Sequence, residues 1–477
     1  MSPATTIRSE IINHLERFGH SFSSFGQASG INKGVISAIL NNNPPKPISV
    51  RQIDLITKAL GYDEGALYDL FVEECFANEK PNGRRIGSFL IRCSELGKED
   101  TIAQVLSRLM ENLTYLTLVF SLAENLYTSG KTKESIIYYK CVAEHERYQH
   151  SERLAISQYR IFRASIGLDA EQNMEVALQF VPYRKRLPEN YQLDALFQII
   201  NTCYAMNKWD KTEQYADELI VLSNIVIKSE KRRTIGKRKR PNEQLVTDKP
   251  LVAYYGYGYL VKGVVLEHQG RYEESMTYVS VYTDLSWFEG LDENGHLSVE
   301  RYRTWAIGNM YTLEILMGNV SVFPEYIQLL QDNPNEILPG ILTIMKSANT
   351  HGLSVDHILE KFKDVIQEYQ SDDLLLKLSN GYMLSLNRLK CANLCYQIAI
   401  YQFGNKKFRE AIRNTFQSIT IYAIINKKGG IIDSISLFEK YRSYASQEEL
   451  EEYDNIIKRG NNHENSDGFI NFSYQFK

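Results

Sequence analysis

Apolar and polar positions at the beginning of the chain alternate with the period of short amphipathic helices. Between residues 7 and 18 the apolar side chains recur every three or four positions, as on one face of a helix: Ile7, Ile11, Ile12, Leu15 and Phe18. Phe22 begins a second short helix, and Gly30 supplies the tight turn behind it, where a side chain would be crowded. Asn32 is a favourable N-cap for a third helix. Two short helices joined by a tight turn are therefore expected between residues 22 and 42.

The third predicted helix has two different faces. One face is apolar and can be buried: Val35 (in part), Ile36, Ile39 and Leu40. The other face is left outside: Lys33, Gly34, Ser37, Ala38 and Asn41. Beyond this helix, residues 43–47 contain three prolines and predict a rigid loop. Ser49 then caps a fourth helix that ends at Gly61, and Asp63 begins a fifth that runs to about Phe76.

From about Leu113 onwards the chain repeats one theme, an apolar helix followed by a small turn and a second helix. The clearest stretches are 120–146, 207–219, 259–278, 305–323 and 396–412. Each pair has a face that it cannot bury alone, so neighbouring pairs must stack. Residues 77–110 predict a connecting pair of helices, and residues 431–458 predict closing helices before a loose tail from Asn461. The whole pattern predicts an all-α fold.

Composition limits the class of protein. The 477 residues carry a net charge of −4 and are 43% hydrophobic, so two or more folded units are expected and any contact with a polyanion must be local. The six cysteines are scattered; Cys391 and Cys395, one helical turn apart, lack a nearby histidine, and buried reduced thiols are expected. The N-terminus shows no apolar signal core, and no apolar run has membrane-spanning length. We therefore expect a cytoplasmic protein without a membrane partner.

One stretch departs from this charge balance. Eight of the thirteen residues from Lys228 to Arg240 are Lys or Arg, and Gly236 and Pro241 interrupt the stretch. Residues 228–241 are therefore predicted to form a solvated loop between two repeats. A second interpretation stays open, in which this charge contacts DNA or an acidic partner.

No arrangement of side chains indicates an enzyme. His145 and His150 resemble part of a zinc-protease motif, but they are five residues apart and so leave the common face of a helix. Gly256 and Gly258 form a Gly-x-Gly that follows no predicted strand, which favours close helix packing over phosphate binding. We therefore predict no catalytic residue, no metal site and no cofactor.

Residues 1–76 resemble the XRE, or lambda-repressor-like, helix-turn-helix domain. The matching pieces are Gly30-Ile31-Asn32, Val35-Ile36-Ser37, Ile39-Leu40-Asn41-Asn42 and Ala59-Leu60-Gly61. The resemblance implies binding to a double-stranded DNA operator, with the second helix of the motif in the major groove. It places four residues at base edges and nearby phosphates and two more at phosphate: Asn32, Lys33, Gly34 and Ser37, then Asn41 and Lys46.

Two features qualify this resemblance. Gly26 stands where the family usually has alanine, which exchanges one small residue for another. Residues 1–58 carry six Lys or Arg against three acids, and five more acids follow between Asp63 and Glu74. One copy is therefore expected to hold phosphates weakly, which favours a dimer on a two-fold site. A small helical domain used only for protein contacts is the alternative.

The repeats resemble a degenerate tetratricopeptide (TPR) array, a right-handed α-solenoid, over residues 113–430. Residues 77–112 would connect it to the first domain, and residues 431–477 would close it. An XRE-like domain followed by such an array resembles the RRNPP regulators, which are intracellular receptors for short signalling peptides, with the phage arbitrium receptors beside them. The resemblance implies a homodimeric, quorum-sensing transcriptional regulator in which a peptide in the concave groove changes the spacing of the DNA-binding domains.

In a TPR array the first helix of each pair lines the concave face. The resemblance therefore places eight candidate peptide contacts there: Phe197, Asn201, Tyr204, Tyr257, Glu267, Trp305, Asn309 and Asn349. Asn201 and Tyr204 lie one turn apart and would hold a peptide backbone, because an amide side chain both donates and accepts hydrogen bonds. Two alternatives stay open: a TPR adaptor regulator that binds a partner protein, and a regulator controlled by dimerisation alone.

Overall fold

The computed structural model describes residues 5–77, 80–149, 151–235, 246–371, 376 and 381–462. All regular structure within these residues is helical and none of it is a strand, so the predicted all-α class is confirmed. The chain divides into two compact units, Met1–Ala164 and Ser165–Lys477, which we call unit 1 and unit 2. The boundary lies inside the stretch that the sequence assigns to one repeat array, so the first predicted helix pair of that array belongs to unit 1.

The described part of unit 1 contains ten α-helices, the last of which ends one residue past the unit boundary. They are α1 Ile7–Phe18, α2 Phe22–Ser29, α3 Lys33–Asn41, α4 Val50–Ala59, α5 Tyr68–Cys75, α6 Gly83–Glu95, α7 Glu99–Leu109, α8 Leu116–Thr128, α9 Thr132–His145 and α10 Glu152–Ser165. Ser49 and Gln52 form a reciprocal capping box at the start of α4, as the sequence predicts for Ser49. The prediction that a helix begins at Asp63 is wrong: Gly65 adopts a φ of +78°, which a helix cannot continue, so α5 begins at Tyr68.

One hydrophobic core runs through unit 1 from Ile7 to Val142. The ring of Phe89 on α6 packs edge-on against Tyr68 and Phe71 of α5, with centroid distances of 5.1 and 4.8 Å. Tyr138 on α9 is fully buried, and its hydroxyl donates to the carbonyl oxygen of Leu90 on α6 at 3.0 Å. The predicted connecting helices α6 and α7 are therefore part of the same core as α1–α5.

Unit 2 contains fourteen described α-helices. They are α11 Ala170–Phe180, α12 Glu189–Ala205, α13 Trp209–Ile235, α14 Leu251–His268, α15 Tyr272–Val281, α16 Glu293–Leu316, α17 Phe323–Asp332, α18 Ile337–His351, α19 Asp356–Lys361, α20 Lys363–Gln370, α21 Gly381–Gly404, α22 Phe408–Ile424, α23 Lys428–Tyr441 and α24 Gln447–Asn462. The predicted tail beyond Asn462 lies outside the described residues.

The same backbone turn joins many of the helix pairs. The second residue after the end of the first helix has a positive φ, as at Asn207 (54°), Gly270 (73°) and Lys406 (61°). The next residue then donates its N–H to a carbonyl five positions earlier; Lys208 reaches Cys203 at 2.9 Å in this way. This is the Schellman arrangement, which satisfies the last carbonyls of a helix and reverses the chain. The five helix pairs quoted from the sequence are all present as helices joined in this compact manner.

The prediction of a loop over residues 228–241 is wrong for its first part. Helix α13 continues to Ile235, because Lys, Arg and Glu favour helix and the first helix-breaking residue is Gly236. The ammonium of Lys231 lies 5.2 Å from the ring centroid of Trp287, an arrangement that favours cation–π attraction. Residues 236–245 lie outside the described residues.

The first helix pair of unit 2, α11 and α12, contacts the turn between α22 and α23, and we call this contact the closure. The amide of Asn426 donates to Asp169 at 2.9 Å across 257 positions of sequence. The ammonium of Lys427 donates to the carbonyl oxygen of Ala205 at 2.8 Å across 222 positions. The helices between these points therefore form an array that returns to its own beginning.

Candidate functional site

The exposed face of α3 carries the first group of predicted contact residues. Asn32 stands at the N-cap and accepts a 2.8 Å hydrogen bond from the backbone N–H of Gly34. Lys33, Gly34 and Asn41 are exposed and Ser37 is half-buried. The Asn41 amide reaches the Ser37 hydroxyl at 3.4 Å, a weak contact that leaves both groups able to bind elsewhere. Since Ile36 and Ile39 on the opposite face lie in the core, α3 presents a polar surface outward along its length.

Arg8 on α1 fixes α3 against its neighbours. Its Nε donates to the carbonyl oxygen of Ile39 at 3.0 Å, and its Nη2 reaches that of Lys46 at 3.4 Å. The same guanidinium donates to both carboxylate oxygens of Glu74 on α5, at 2.6 and 2.9 Å. Lys46 also donates its backbone N–H to Ala38 at 3.0 Å, so the exposed side chain of Lys46 is held beside the end of α3.

Gly26 is required by the close approach of α2 to the turn before α3. A Cβ added there would lie 2.9 Å from the carbonyl oxygen of Ile31 and 3.5 Å from the backbone nitrogen of Lys33. Backbone atoms cannot rotate away as the end of a side chain can. The two small residues are therefore not equivalent at this position, since alanine would have to shift the turn.

The second group of predicted residues lies in unit 2, where α12 faces α14. The rings of Phe197 and Tyr257 pack at a centroid distance of 4.3 Å. The Tyr257 hydroxyl donates to the amide oxygen of Asn201 at 2.5 Å, so Asn201 pairs with Tyr257 and not with Tyr204. The amide nitrogen of Asn201 donates to no described group. One half of this amide is thus engaged and the other half is available.

Glu267, near the end of α14, is the electrostatic centre of this region. Burial and, after it, the charge of Glu267 raise the pKa of Tyr204 to about 12. Burial also raises the pKa of Tyr282 and of Tyr326, and the charge of Glu267 adds to both. Three tyrosine hydroxyls from different parts of unit 2 therefore lie within electrostatic reach of one carboxylate.

The side chain of Glu267 forms no hydrogen bond or ion pair with a described residue. Burial raises its pKa, and the ammonium of Lys346 on α18 opposes that rise. Yet its side chain keeps partial contact with solvent. A desolvated but reachable carboxylate, with a cation near it and not bound to it, can pair with a positively charged group or accept a hydrogen bond from a donor.

The three remaining predicted residues each have another partner. Trp305 donates its indole N–H to Glu336 at 2.6 Å, and Asn309 donates to the hydroxyl of Tyr282 at 2.8 Å. Asn349 donates to the backbone and side-chain oxygens of Gln397, at 2.9 and 2.8 Å. Through Tyr282, Asn309 belongs to the surroundings of Glu267. Asn349 shares no described hydrogen bond or ring contact with the other seven.

Sequence reasoning missed several residues around Glu267. Lys346 lies three positions before Asn349, so helical periodicity along α18 was the signal that could have found it. His268 packs on Trp209 at a centroid distance of 4.0 Å, and burial lowers its pKa to about 4.

The other motifs behave as structural elements in the described parts of the chain. A Cβ on Gly256 would lie 2.8 Å from the Tyr302 ring, and one on Gly258 would lie 2.7 Å from Cγ1 of Ile220, so these glycines serve close helix packing as predicted. Cys391 and Cys395 are buried free thiols, also as predicted. His145 Nδ1 lies 2.8 Å from the carbonyl oxygen of Cys141, whereas His150 is outside the described residues.

Comparisons with known proteins add no assignment. No family model matches the chain, and no curated protein matches it. Among the described residues no group of His, Cys, Asp and Glu side chains is arranged to hold a metal ion. None of the described helices combines the length and apolarity that crossing a membrane requires.

Proposed function

We propose that this protein is a DNA-binding transcriptional regulator whose second unit binds a short peptide. The observation that carries the proposal is the polar outward face of α3, held on a buried core and fixed by Arg8. A helix with polar side chains outward and a rigid base is what reading a major groove requires. The resemblance of residues 1–76 to XRE domains points the same way and puts Asn32, Lys33 and Ser37 nearest the bases.

The peptide half of the proposal rests on unit 2. Its TPR-like helix pairs leave the Asn201 amide nitrogen, the Tyr204 hydroxyl and the Glu267 carboxylate without partners among the described groups. Such mixed donors and acceptors suit an extended peptide, whose backbone offers both N–H and C=O groups. Peptide binding would change the DNA affinity of a homodimer only by favouring one arrangement of its DNA-binding domains over another.

DNA binding is tested with the full chain and a pool of random duplexes. Sequences retained over several rounds define a preferred site, and its affinity is then measured for Lys33→Ala/Ser37→Ala. We expect loss of roughly tenfold or more at the preferred site and loss of sequence preference, since one good base contact contributes about 1–3 kcal/mol. Lys133→Ala, an exposed charge on α9, is the matched control. Retained preference in the double variant would refute the assignment of α3.

Peptide binding is tested by incubating the full chain with a pool of synthetic hexapeptides and identifying retained members by mass spectrometry. Calorimetry with a retained peptide then compares the parent with Asn201→Ala and with the control Asn294→Ala, an exposed residue at the start of α16. We expect at least tenfold weaker binding for Asn201→Ala and an unchanged affinity for the control. If no peptide binds at tens of micromolar, the proposal of peptide binding is refuted, and the proposal of DNA binding is unaffected.

A further inference from the structure

A cleft of about 520 Å³ opens in unit 1 between the start of α4 and the start of α6. Pro47, Ser49 and Arg51 line it on the α4 side. Asn82, Arg84 and Arg85 line it on the α6 side. Three guanidinium groups thus border one cavity, and no acidic side chain is among its lining residues.

The backbone adds to the positive potential of this cleft. The N-termini of both α4 and α6 lie at it, and the positive end of a helix dipole attracts anions. Neither helix carries an acidic residue in its first turn, where one would normally neutralise that end. Two helix N-termini and three arginine side chains therefore all make the electrostatic potential of the cleft positive.

Arg85 adds positive charge to the wall of the cleft. Its Nη2 donates to the carbonyl oxygen of Glu74 at 2.7 Å, which anchors the side chain. Its Nε and Nη1 are inaccessible to solvent and have no hydrogen-bond partner. Because water cannot reach these two nitrogens, an anion in the cleft cannot contact them directly. Arg51 and Arg84 are exposed and form no ion pair with a described residue, so both are free to close on the same anion.

The position of the cleft identifies the anion. Pro47 follows Lys46 directly, and Lys46 is hydrogen-bonded to α3 through Ala38. A nucleic-acid backbone that passes the end of α3 would therefore reach Lys46 and then the cleft. We propose that this cleft binds a phosphate of the DNA backbone beside the bases contacted by α3, through Arg51 and Arg84, while Arg85 adds positive charge at its wall. The inference rests on the proposed DNA binding and adds a contact outside the helix-turn-helix resemblance.

The salt dependence of DNA binding tests the contact. Each phosphate contact contributes about 0.9 to the slope of log K against log salt concentration. For the full chain we expect Arg51→Gln/Arg84→Gln to lower the magnitude of that slope by roughly 1 and to weaken preferred and random duplexes equally. Lys58→Gln, an exposed charge at the other end of α4, should keep the parent slope.

The outcomes separate this inference from the proposed function. If the parent binds no duplex, the proposed function fails and the inference fails with it. If the parent binds and the double variant keeps the parent slope, only the inference is overturned. Saturable binding of inorganic phosphate that the double variant loses, with DNA binding unchanged, would likewise overturn it in favour of a small-anion site.

Discussion

Replacing two adjacent glycines in the first turn of α23 by alanine is predicted to change the stability of unit 2 in opposite directions. At Gly429 an added Cβ meets no described atom within 4 Å, whereas at Gly430 it would lie 2.5 Å from Cε1 of Tyr422 on α22. Both residues are helical and neither has a positive φ, so both substitutions restrict the unfolded chain to the same degree. The difference between the two variants therefore isolates the packing of α23 against Tyr422.

Tyr422 cannot move away without further cost. Its side chain is buried, and its hydroxyl donates to Asn393 on α21 at 2.6 Å. Cδ1 and Cζ of the ring would both lie 2.6 Å from the new Cβ, so a small rotation does not relieve the overlap. Either the bond to Asn393 breaks, or α23 separates from α22.

The magnitudes follow from these contacts. Alanine at an open helical glycine stabilises a protein by about 0.4–1 kcal/mol. Overpacking of a filled core costs about 1–3 kcal/mol. We therefore expect Gly429→Ala to raise the free energy of unfolding by about 0.5–1 kcal/mol. The free energy of unfolding of Gly430→Ala should be lower than that of Gly429→Ala by about 1–3 kcal/mol.

The assay is native-state hydrogen exchange of the full chain, read on the amides of α22 and α23. Exchange reports the local opening free energy and does not require the two units to unfold together. Gly429→Ala should slow the exchange of these amides relative to the parent, and Gly430→Ala should speed it relative to Gly429→Ala. Equal protection in the two variants would show that α23 does not pack on Tyr422 as described.

Three further predictions concern buried polar groups. Burial lowers the pKa of Lys427 from 10.5 to about 8, so above pH 8 the unfolded state binds more protons than the folded state. In urea titrations the free energy of unfolding of the parent, relative to that of Lys427→Met, should therefore rise by about 2 kcal/mol between pH 7 and 9.5. A difference between the two proteins that does not change with pH would contradict this. Burial raises the pKa of Glu267, so its ionised form disfavours folding at pH 7. In urea titrations Glu267→Gln should stabilise unit 2 more at pH 7 than at pH 4, where the carboxyl is mostly protonated in the unfolded state as well. Tyr138→Phe removes the buried hydroxyl that joins α9 to α6 and should lower the opening free energy of α6 by about 1 kcal/mol, measured by hydrogen exchange of the α6 amides. The control Tyr148→Phe, at an 84% exposed position, should leave that free energy unchanged.

Local signals in the sequence were sufficient to predict most helices. The Ser49 and Asn32 caps act within three residues of chain, so the starts of α3 and α4 could be read directly. The start of α5 could not, because the sequence does not say that Gly65 takes a positive φ. The length of α13 was underestimated because its dense positive charge suggested a loop, although lysine and arginine are good helix formers.

The candidate site in unit 2 was predictable only in outline. Periodicity placed Asn201 and Tyr257 on neighbouring helices, but not the hydrogen bond between them, which joins residues 56 positions apart. Lys346 was not predicted, because its role depends on its electrostatic interaction with Glu267, which lies on a helix two pairs earlier in the chain. The closure could not be predicted either, because the contact joins residues far apart in the sequence and nothing in the sequence near Lys427 or Ala205 indicates it.

The continuous core of unit 1 also limits how such a protein can evolve or be re-engineered. A chain cut after residue 76 would leave Tyr68 and Phe71 without the Phe89 ring that covers them. The first five helices are therefore not a module that can be exchanged between proteins while α6–α9 stay behind. New specificity at α3 must arise by substitution on its exposed face, or α1–α9 must be inherited together as one piece.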